Sequence, residues 1–239
     1  SDIRIDVARA RRQHHSYVAA LRDAGIRVSI LPPVDMPDGC FIEDVAVLLP
    51  NTVAISRPGA QQRRSEVASV AQFLQPNHPT VQLRQPNATL DGGDVMRMGQ
   101  TLFIGLSSRT NEAGAQWLAK HAHSNGIEAI PIPLQEGLHL KSVVTVIDQC
   151  TLSIWADGMD PAHFRDRDIA CIEASEFEGA NLLGLGDTII ASAAAPRTIE
   201  TLVRSGRTVK VVEVDEFHNA DGALTCLSLR FSRPNAWCV

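Results

Sequence analysis

A cysteine near the carboxyl end and a histidine near the middle of the chain are the first candidates for chemistry. Cys226 follows the turn-forming stretch 221–223 at the mouth of a predicted strand, and His139 stands between two leucines. A thiol assisted by a histidine distant in sequence is a pattern of covalent catalysis. Each residue also has a structural interpretation, because a lone cysteine usually packs in the core and a histidine among leucines is usually a hydrogen-bonded core residue.

Two groups of carboxylates are the second candidate. Glu43 and Asp44 interrupt the apolar run 40–48, and Asp91 and Asp94 flank a pair of glycines. Neighbouring residues on a strand point to opposite faces, so at least one acid of the first pair would face protein or a cavity and need a cationic partner. The alternatives are a turn or edge position or pairing with Arg57 for the first group, and a plain loop for the second.

Composition narrows the class of protein. The chain has 239 residues, 44% of them hydrophobic, 21% charged and 5% aromatic, with a net charge of −5. These values are typical of a globular domain that forms its core without disulfides, and they argue against a nucleic-acid partner. No apolar stretch predicts a membrane span or a signal peptide. Five scattered cysteines without a CxxC pair favour the cytoplasm and argue against a zinc site.

Hydrophobic periodicity predicts an alternation of helices and strands. Helices are expected at 5–24, 65–74 (with Ser65 as the N-terminal cap), 111–123 and 196–205. Strands are expected at 26–30, 40–48, 53–55, 94–96, 101–104, 126–130, 138–147, 151–155, 187–191, 207–214 and 224–231.

A weak internal repeat runs through this alternation. Similar units start near Asp44, Asp94, His139, Leu183 and Cys226, at spacings of roughly 43–50 residues. Such a period predicts an array or a propeller, and a three-layer α/β sandwich is the alternative. No segment is typical of a linker, so a single catalytic domain, 1–239, is expected.

In combination and order, several stretches resemble the dimethylarginine dimethylaminohydrolase family of guanidine-modifying enzymes. The matching stretches are 37–47, 56–60, 90–95, 105–111, 137–142 and 221–228. The resemblance implies an α/β fold: a five-bladed α/β propeller of pseudo-fivefold ββαβ units, with the first unit incomplete at the N-terminus. Relatives begin with a strand and a mobile lid loop, whereas this chain opens on a helix. No family counterpart is assigned to the tail 237–239.

The resemblance also implies roles for individual residues. Cys226 is similar to the family's nucleophile, His139 to the general acid/base, and Asp91 to the carboxylate that grips the guanidinium. The substrate-binding residues implied in the same way are Asp38, Glu43, Asp44, Arg57, Arg109 and Ala220. The implied reaction is hydrolysis of Nω-methylated L-arginine to L-citrulline and a methylamine through a covalent thiouronium, without metal or organic cofactor.

Other functions remain open from the sequence. One is an arginine deiminase or another guanidine hydrolase or amidinotransferase; the other is a non-catalytic propeller that only binds. The expected partner is a small cationic amino acid, and a homodimer is one alternative for the assembly. The preferred methylation state is not determined, because one methyl group changes binding by only about 1–3 kcal/mol.

Overall fold

The computed structural model describes residues 4–165 and 169–231, so the predicted tail residues 237–239 lie outside the described part. The helices are α1 (Val7–Asp23), α2 (Val67–Leu74), α3 (Glu112–Ser124), α4 (Leu140–Val143), α5 (Ala162–Arg165), α6 (Pro196–Arg204) and α7 (Asp215–His218). The strands are β1 (Ala46–Leu48), β2 (Val53–Ile55), β3 (Thr80–Gln82), β4 (Val95–Met98), β5 (Thr101–Leu106), β6 (Glu128–Pro133), β7 (Val144–Val146), β8 (Thr151–Ile154), β9 (Ala170–Glu173), β10 (Leu183–Leu185), β11 (Thr188–Ser192) and β12 (Thr208–Val212).

These strands form four three-stranded sheets within the described residues. In each sheet the first two strands pair antiparallel and the second and third pair parallel, as in β1-β2-β3, where Ala46 faces Ile55 and Val53 faces Thr80. The parallel connection passes through a helix in every case, because a parallel pair needs a crossover. The ββαβ order that the family resemblance implies is therefore present in a mixed α/β fold.

The described chain divides into two compact units. Unit I comprises 31–141 and 226–231, and unit II comprises 4–30 and 142–225 apart from 166–168. In unit I, α3 packs on β5 through Leu102, Ile104 and Leu118, all about fully buried. In unit II, Ile189 and Leu202 bring α6 onto β11. Burial of the apolar faces of α3 and α6 against these sheets stabilises both the helices and the strands.

A short helical turn precedes the first strand of each sheet. The four turns are Ile42–Val45, Gly92–Asp94, Leu140–Val143 and Phe177–Ala180, and a fifth, Thr225–Leu227, follows near the end of the described chain. The predicted strands 40–48 and 138–147 are therefore wrong in their first halves. Where an expected strand carries buried charged groups, the chain instead coils so that their side chains reach partners beside the sheet.

Two other predicted strands are absent from the described residues. Residues 26–30 form no strand, and the Ile26 N–H donates to Leu21 O at the end of α1. Residues 224–231 contain the helical turn 225–227 followed by irregular chain. Alternation of apolar residues cannot show whether a partner strand exists, and strand formation depends on that partner.

The start of α2 also differs from the prediction. Its N-cap is Glu66, whereas Ser65 ends a separate 3₁₀ turn, Gln61–Ser65, and its hydroxyl donates to Gln62 O. That additional turn carries Arg63 into the interior, where it is 6% exposed.

The start of α3 positions part of the candidate site. Asn111 caps the helix by accepting from the Gly114 N–H at 3.0 Å, and the same oxygen accepts from the Thr89 N–H at 3.1 Å. A side chain at Gly114 would lie 1.9 Å from Thr89 O, so only glycine permits this approach. The segment leading to Asp91 is thereby held beside the loop that precedes α3.

Candidate active site

The predicted histidine lies in a buried cluster of carboxylates in unit I. His139 is 5% exposed, and its Nε2 is 3.0 Å from Asp91 Oδ2 and 3.7 Å from Asp44 Oδ1. Gly93 N–H donates to Asp44 Oδ1 at 2.9 Å. The structure thus brings together three of the predicted site residues, from three different helical-turn regions of the chain.

This cluster raises the pKa of His139. Burial alone would lower it, but the charge of Asp44, the hydrogen bond to Asp91 and the charges of Asp94 and Asp91 outweigh burial and raise the pKa to about 9. His139 is therefore an imidazolium at neutral pH, a form able to give a proton to a departing group. Conversely, burial would raise the pKa of Asp44, but the charges of His139 and Arg63 hold it below its usual value.

Asp44 is held by a cation that the sequence analysis missed. Arg63 Nη1 donates to Asp44 Oδ2, and its Nε and Nη2 both donate to Glu66 Oε2, at 3.1 and 2.9 Å. The alternative pairing with Arg57 is wrong, since that side chain donates to Ala88 O. The only sequence signal for Arg63 was its place in a short basic pair at 63–64, which gives no indication of burial.

Glu43 is held by a second missed cation. Lys141 Nζ donates to Glu43 Oε1 at 2.5 Å, and both residues are buried, at 9% and 4% exposure. The other carboxylate oxygen, Glu43 Oε2, is buried without a hydrogen-bond partner. A buried acceptor without a donor is costly, so this oxygen is suited to an N–H group brought by a ligand.

Asp91 joins the two loops that carry Arg57 and Arg109, the arginines predicted to bind a substrate carboxylate. Its Oδ1 accepts from the Gly59 N–H at 2.8 Å, two residues after Arg57, and its own N–H donates to the Thr110 hydroxyl at 3.0 Å, next to Arg109. Both arginines are half-buried. Asp91 itself is 0% exposed, so in this structure its contacts are with the protein around it.

Two glycines permit this packing. A side chain on Gly59 would lie 2.5 Å from Arg109 O, so the loops that carry the two arginines touch through backbone alone. A side chain on Gly93 would lie 2.6 Å from Asp44 Oδ1 and 2.7 Å from His139 Cγ. The Asp-Gly-Gly-Asp stretch is therefore a 3₁₀ turn closely packed against the cluster, and not a plain loop.

The remaining predicted residues are placed as follows. Asp38 is half-buried, with Oδ2 3.8 Å from Arg63 Nε. Cys226 is half-buried in the turn Thr225–Leu227 and belongs to unit I together with His139. Ala220 lies in unit II, in the turn after α7, where its N–H donates to Phe217 O.

The cluster also contains a set of atoms that could coordinate a cation. Within the described residues, one oxygen of Asp44, one of Asp91 and a ring nitrogen of His139 lie within 4.8 Å of one another. The carboxylates already accept from Arg63, Gly93 and Gly59. Because these donors and the imidazolium offset the negative charge, the cluster is suited to acid/base chemistry without a metal.

Comparison with known proteins identifies relatives over almost the whole chain. The family model for arginine deiminase matches residues 33–170. The dimethylarginine dimethylaminohydrolase of Pseudomonas aeruginosa is 32% identical over 228 residues, which cover 95% of this chain and 90% of that protein. The corresponding protein of Streptomyces coelicolor is 34% identical over 234 residues, covering 95% of this chain and 88% of that protein.

Solved structures of other proteins have a fold similar to that of this chain. A mutant of the Pseudomonas aeruginosa enzyme complexed with citrulline has a TM-score of 0.90 and 30% identity, covering 95% of this chain and 90% of that chain. An amidinotransferase from Microseira wollei has a TM-score of 0.85 at 17% identity, covering 98% of this chain and 86% of that chain, which shows the fold alone.

Proposed function

Since the chain belongs to the dimethylarginine dimethylaminohydrolase family, we propose that it hydrolyses an Nω-methylated L-arginine to L-citrulline and a methylamine. The observation that carries this proposal is the buried His139 imidazole hydrogen-bonded to Asp91 beside Asp44, in the same compact unit as Cys226. A relative's complex with citrulline supports the choice of product.

Substrate binding uses charge at both ends of the molecule. Arg57 and Arg109, on loops joined through Gly59, bind the substrate carboxylate, and Asp38 and the backbone of Ala220 contact its other polar groups. Glu43 accepts an N–H of the guanidinium with its unpartnered oxygen, while its other oxygen accepts from Lys141 Nζ. Binding and orientation bring the guanidinium carbon to the nucleophile, which supplies much of the catalysis.

The first chemical step is attack by Cys226. The thiol releases its proton to solvent when the guanidinium cation is bound, because a neighbouring positive charge favours the thiolate. Sulfur forms a bond to the guanidinium carbon, His139 donates its proton to the methylated nitrogen, and the C–N bond breaks. The products of this step are the free methylamine, a covalent thiouronium and a neutral histidine.

The second step regenerates the enzyme. Neutral His139 takes a proton from water, the hydroxide adds to the thiouronium carbon, and the C–S bond breaks to release the thiolate. The product loses its extra proton to solvent as citrulline. Asp91 and Asp44 act throughout by holding the imidazole and stabilising its protonated form. As the family resemblance implies, Asp91 also grips the guanidinium beside the reacting carbon, and its hydrogen bond to His139 brings the imidazole to the same place.

The proposal extends to the fold and the setting of the protein. The five helical turns support a five-bladed propeller and a single catalytic domain over 1–239. The described cysteines form no disulfide with one another, which supports the cytoplasm, and no described helix has the length and apolar character of a membrane span. The substrate is a small cationic amino acid.

The test is incubation with asymmetric dimethylarginine, monomethylarginine and arginine, followed by detection of citrulline and of the released amine. We expect dimethylamine from the first substrate, no turnover in Cys226→Ser with substrate binding retained, and slowing of both steps in His139→Gly. Turnover of arginine alone would instead support the arginine deiminase function that the family model suggests. Full activity of Cys226→Ser would refute the assignment of Cys226 as the nucleophile. Substrate binding by the wild-type protein without any turnover would support a non-catalytic binding module.

A further inference from the structure

A further buried carboxylate in unit I, Asp94, contacts neither the substrate nor the imidazole in the reaction described above, although its charge helps to raise the pKa of His139. Asp94 is 0% exposed, and its Oδ1 accepts from the Leu140 N–H at 2.9 Å, directly after His139. Its Oδ2 accepts from the Ser107 hydroxyl at 2.7 Å, and the Thr110 side chain of the same turn also hydrogen-bonds to the carboxylate. One carboxylate therefore ties the chain that carries the imidazole to a different loop.

That loop is the one that presents Arg109. The Ser107 oxygen accepts from the Arg109 N–H at 2.9 Å and from the Thr110 N–H at 3.2 Å, and the Ser107 N–H donates to Thr110 O at 3.0 Å. The hydroxyl thus closes the turn 107–110 and sets the direction in which the Arg109 backbone runs. Because Ser107 accepts two backbone N–H groups, its own proton is directed to Asp94.

The region around Asp94 leaves little freedom for other arrangements. A side chain on Gly105 would lie 2.8 Å from Leu140 Cβ and 3.0 Å from Asp94 Oδ1. Burial raises the pKa of Asp94 to about 6 against the opposing effect of His139 and its hydrogen bonds, so it is ionised at neutral pH. Hydrogen bonds to an ionised acceptor are stronger than neutral ones.

We propose that Asp94 is a positioning residue that couples the substrate-carboxylate arginine, Arg109, to the catalytic histidine, His139. The coupling runs through the Ser107 and Thr110 side chains at one end and the Leu140 N–H at the other. A substrate carboxylate bound to Arg109 holds the 107–110 turn, and Asp94 joins that turn to the Leu140 N–H, directly after the residue that carries the imidazole. The inference rests on the proposed function and deepens it: the carboxylate of the substrate contributes to turnover as well as to affinity.

The experiment compares monomethylarginine with its decarboxylated analogue, methylated agmatine. We expect the wild type to prefer the amino acid in both kcat and KM. Ser107→Ala removes the hydroxyl that closes the 107–110 turn and one of the turn's two side-chain hydrogen bonds to Asp94, without a charge change. It should reduce this preference in kcat/KM by about 10-fold, with little effect on methylated agmatine. Ser107→Thr keeps the hydroxyl and should restore the preference. Ser108→Ala, at an exposed neighbouring serine, is the matched control.

Asp94→Asn supplies a second, independent variant. It should reduce the preference at least as far as Ser107→Ala, and the double variant should be no worse than the poorer single variant, because both lie on one connection. Equal losses on both substrates in Ser107→Ala, or no rescue by threonine, would overturn the coupling. If Asp94→Asn does not fold, the Ser107 variants decide alone. Absence of wild-type turnover on any methylarginine would refute the proposed function itself.

Discussion

The protonation state of His139 can be tested by replacing Asp91. The Asp91→Asn substitution keeps the size of the side chain and an oxygen for the Gly59 N–H, but removes the charged acceptor 3.0 Å from the imidazole. The charges of Asp44 and Asp94 remain in place. We therefore expect the pKa of His139 to fall from about 9 without returning fully to its ordinary value of 6.5.

The size of the effect follows from the hydrogen bond. The rise from 6.5 to about 9 corresponds to roughly 3 kcal/mol in favour of the imidazolium in the folded protein. A hydrogen bond to a charged group contributes about 1.5–3 kcal/mol, so its loss should lower the pKa by roughly 1–2 units. Since the folded protein binds the proton more tightly, this stabilisation is complete below pH 6.5 and is lost as the pH rises through 9.

The assay is an NMR titration of the histidine ring protons in the Cys226→Ser background, so that no thiolate forms in the same range. His139→Gln identifies the resonance among the eight histidines. Urea unfolding at pH 6.5 and pH 9.5 measures the linked loss of stability, expected at about 3 kcal/mol relative to His139→Gln. Asp35→Asn, at an exposed carboxylate, is the control and should leave the midpoint within a few tenths of a unit.

Two results would refute this reasoning. The first is a wild-type midpoint for His139 at or below 6.5, which would mean that burial outweighs the carboxylates. The second is an unchanged midpoint in Asp91→Asn, which would mean that the hydrogen bond to Asp91 does not stabilise the imidazolium.

Three further substitutions test packing and charge in unit I. Gly93→Ala places a methyl group 2.6 Å from a carboxylate oxygen and 2.7 Å from the imidazole, so kcat/KM should fall by roughly 100-fold with an unchanged circular dichroism spectrum. Lys141→Met leaves the Glu43 carboxylate buried without its cation, and urea unfolding should show a loss of about 3–5 kcal/mol. Leu118→Ala truncates a fully buried side chain and should cost about 2–5 kcal/mol in the same assay, with KM unchanged in the folded enzyme.

Matched controls separate these effects from general damage. Gly99 has a φ of +55° and no atom within 4 Å of an added side chain, so Gly99→Ala should cost stability but preserve kcat/KM. Lys120→Met, at an exposed lysine, should change stability by less than about 0.5 kcal/mol. Wild-type activity in Gly93→Ala, or wild-type stability in Lys141→Met, would contradict the packing described for the site.

Periodicity predicted the elements that bury one apolar face. The prediction of α1 and α3 was confirmed to within two residues at each end, and β2 was correct at both ends. The three-residue strands β3 and β10 were missed, whereas β2, which is equally short, was predicted because it follows a turn and is apolar throughout. The prediction for 40–48 was wrong at Glu43 and Asp44, where distant cations select a turn over a strand.

The site was predictable only in part, because residues distant in sequence decide which charged side chains are buried. The resemblance to the family pointed to His139, Asp91 and Asp44, which the structure brings together. Nothing local marked Arg63 or Lys141 as interior cations, since a basic residue is usually exposed. Each is buried because a carboxylate distant in sequence, or on a neighbouring turn, offsets its charge. Partners of this kind are properties of the folded chain and not of any window of sequence.

The helical turns ahead of the sheets separate two kinds of sequence constraint. The candidate acid/base groups and their acidic neighbours lie at or beside these turns, while the strands that follow supply mainly packing. Apolar residues within a strand can therefore be exchanged for others of similar volume, at a cost in folding free energy but with the reacting groups left in place. The strands of this architecture can therefore accumulate substitutions while the reacting groups are kept. A search for distant relatives should give more weight to the sequences of the turns than to those of the strands.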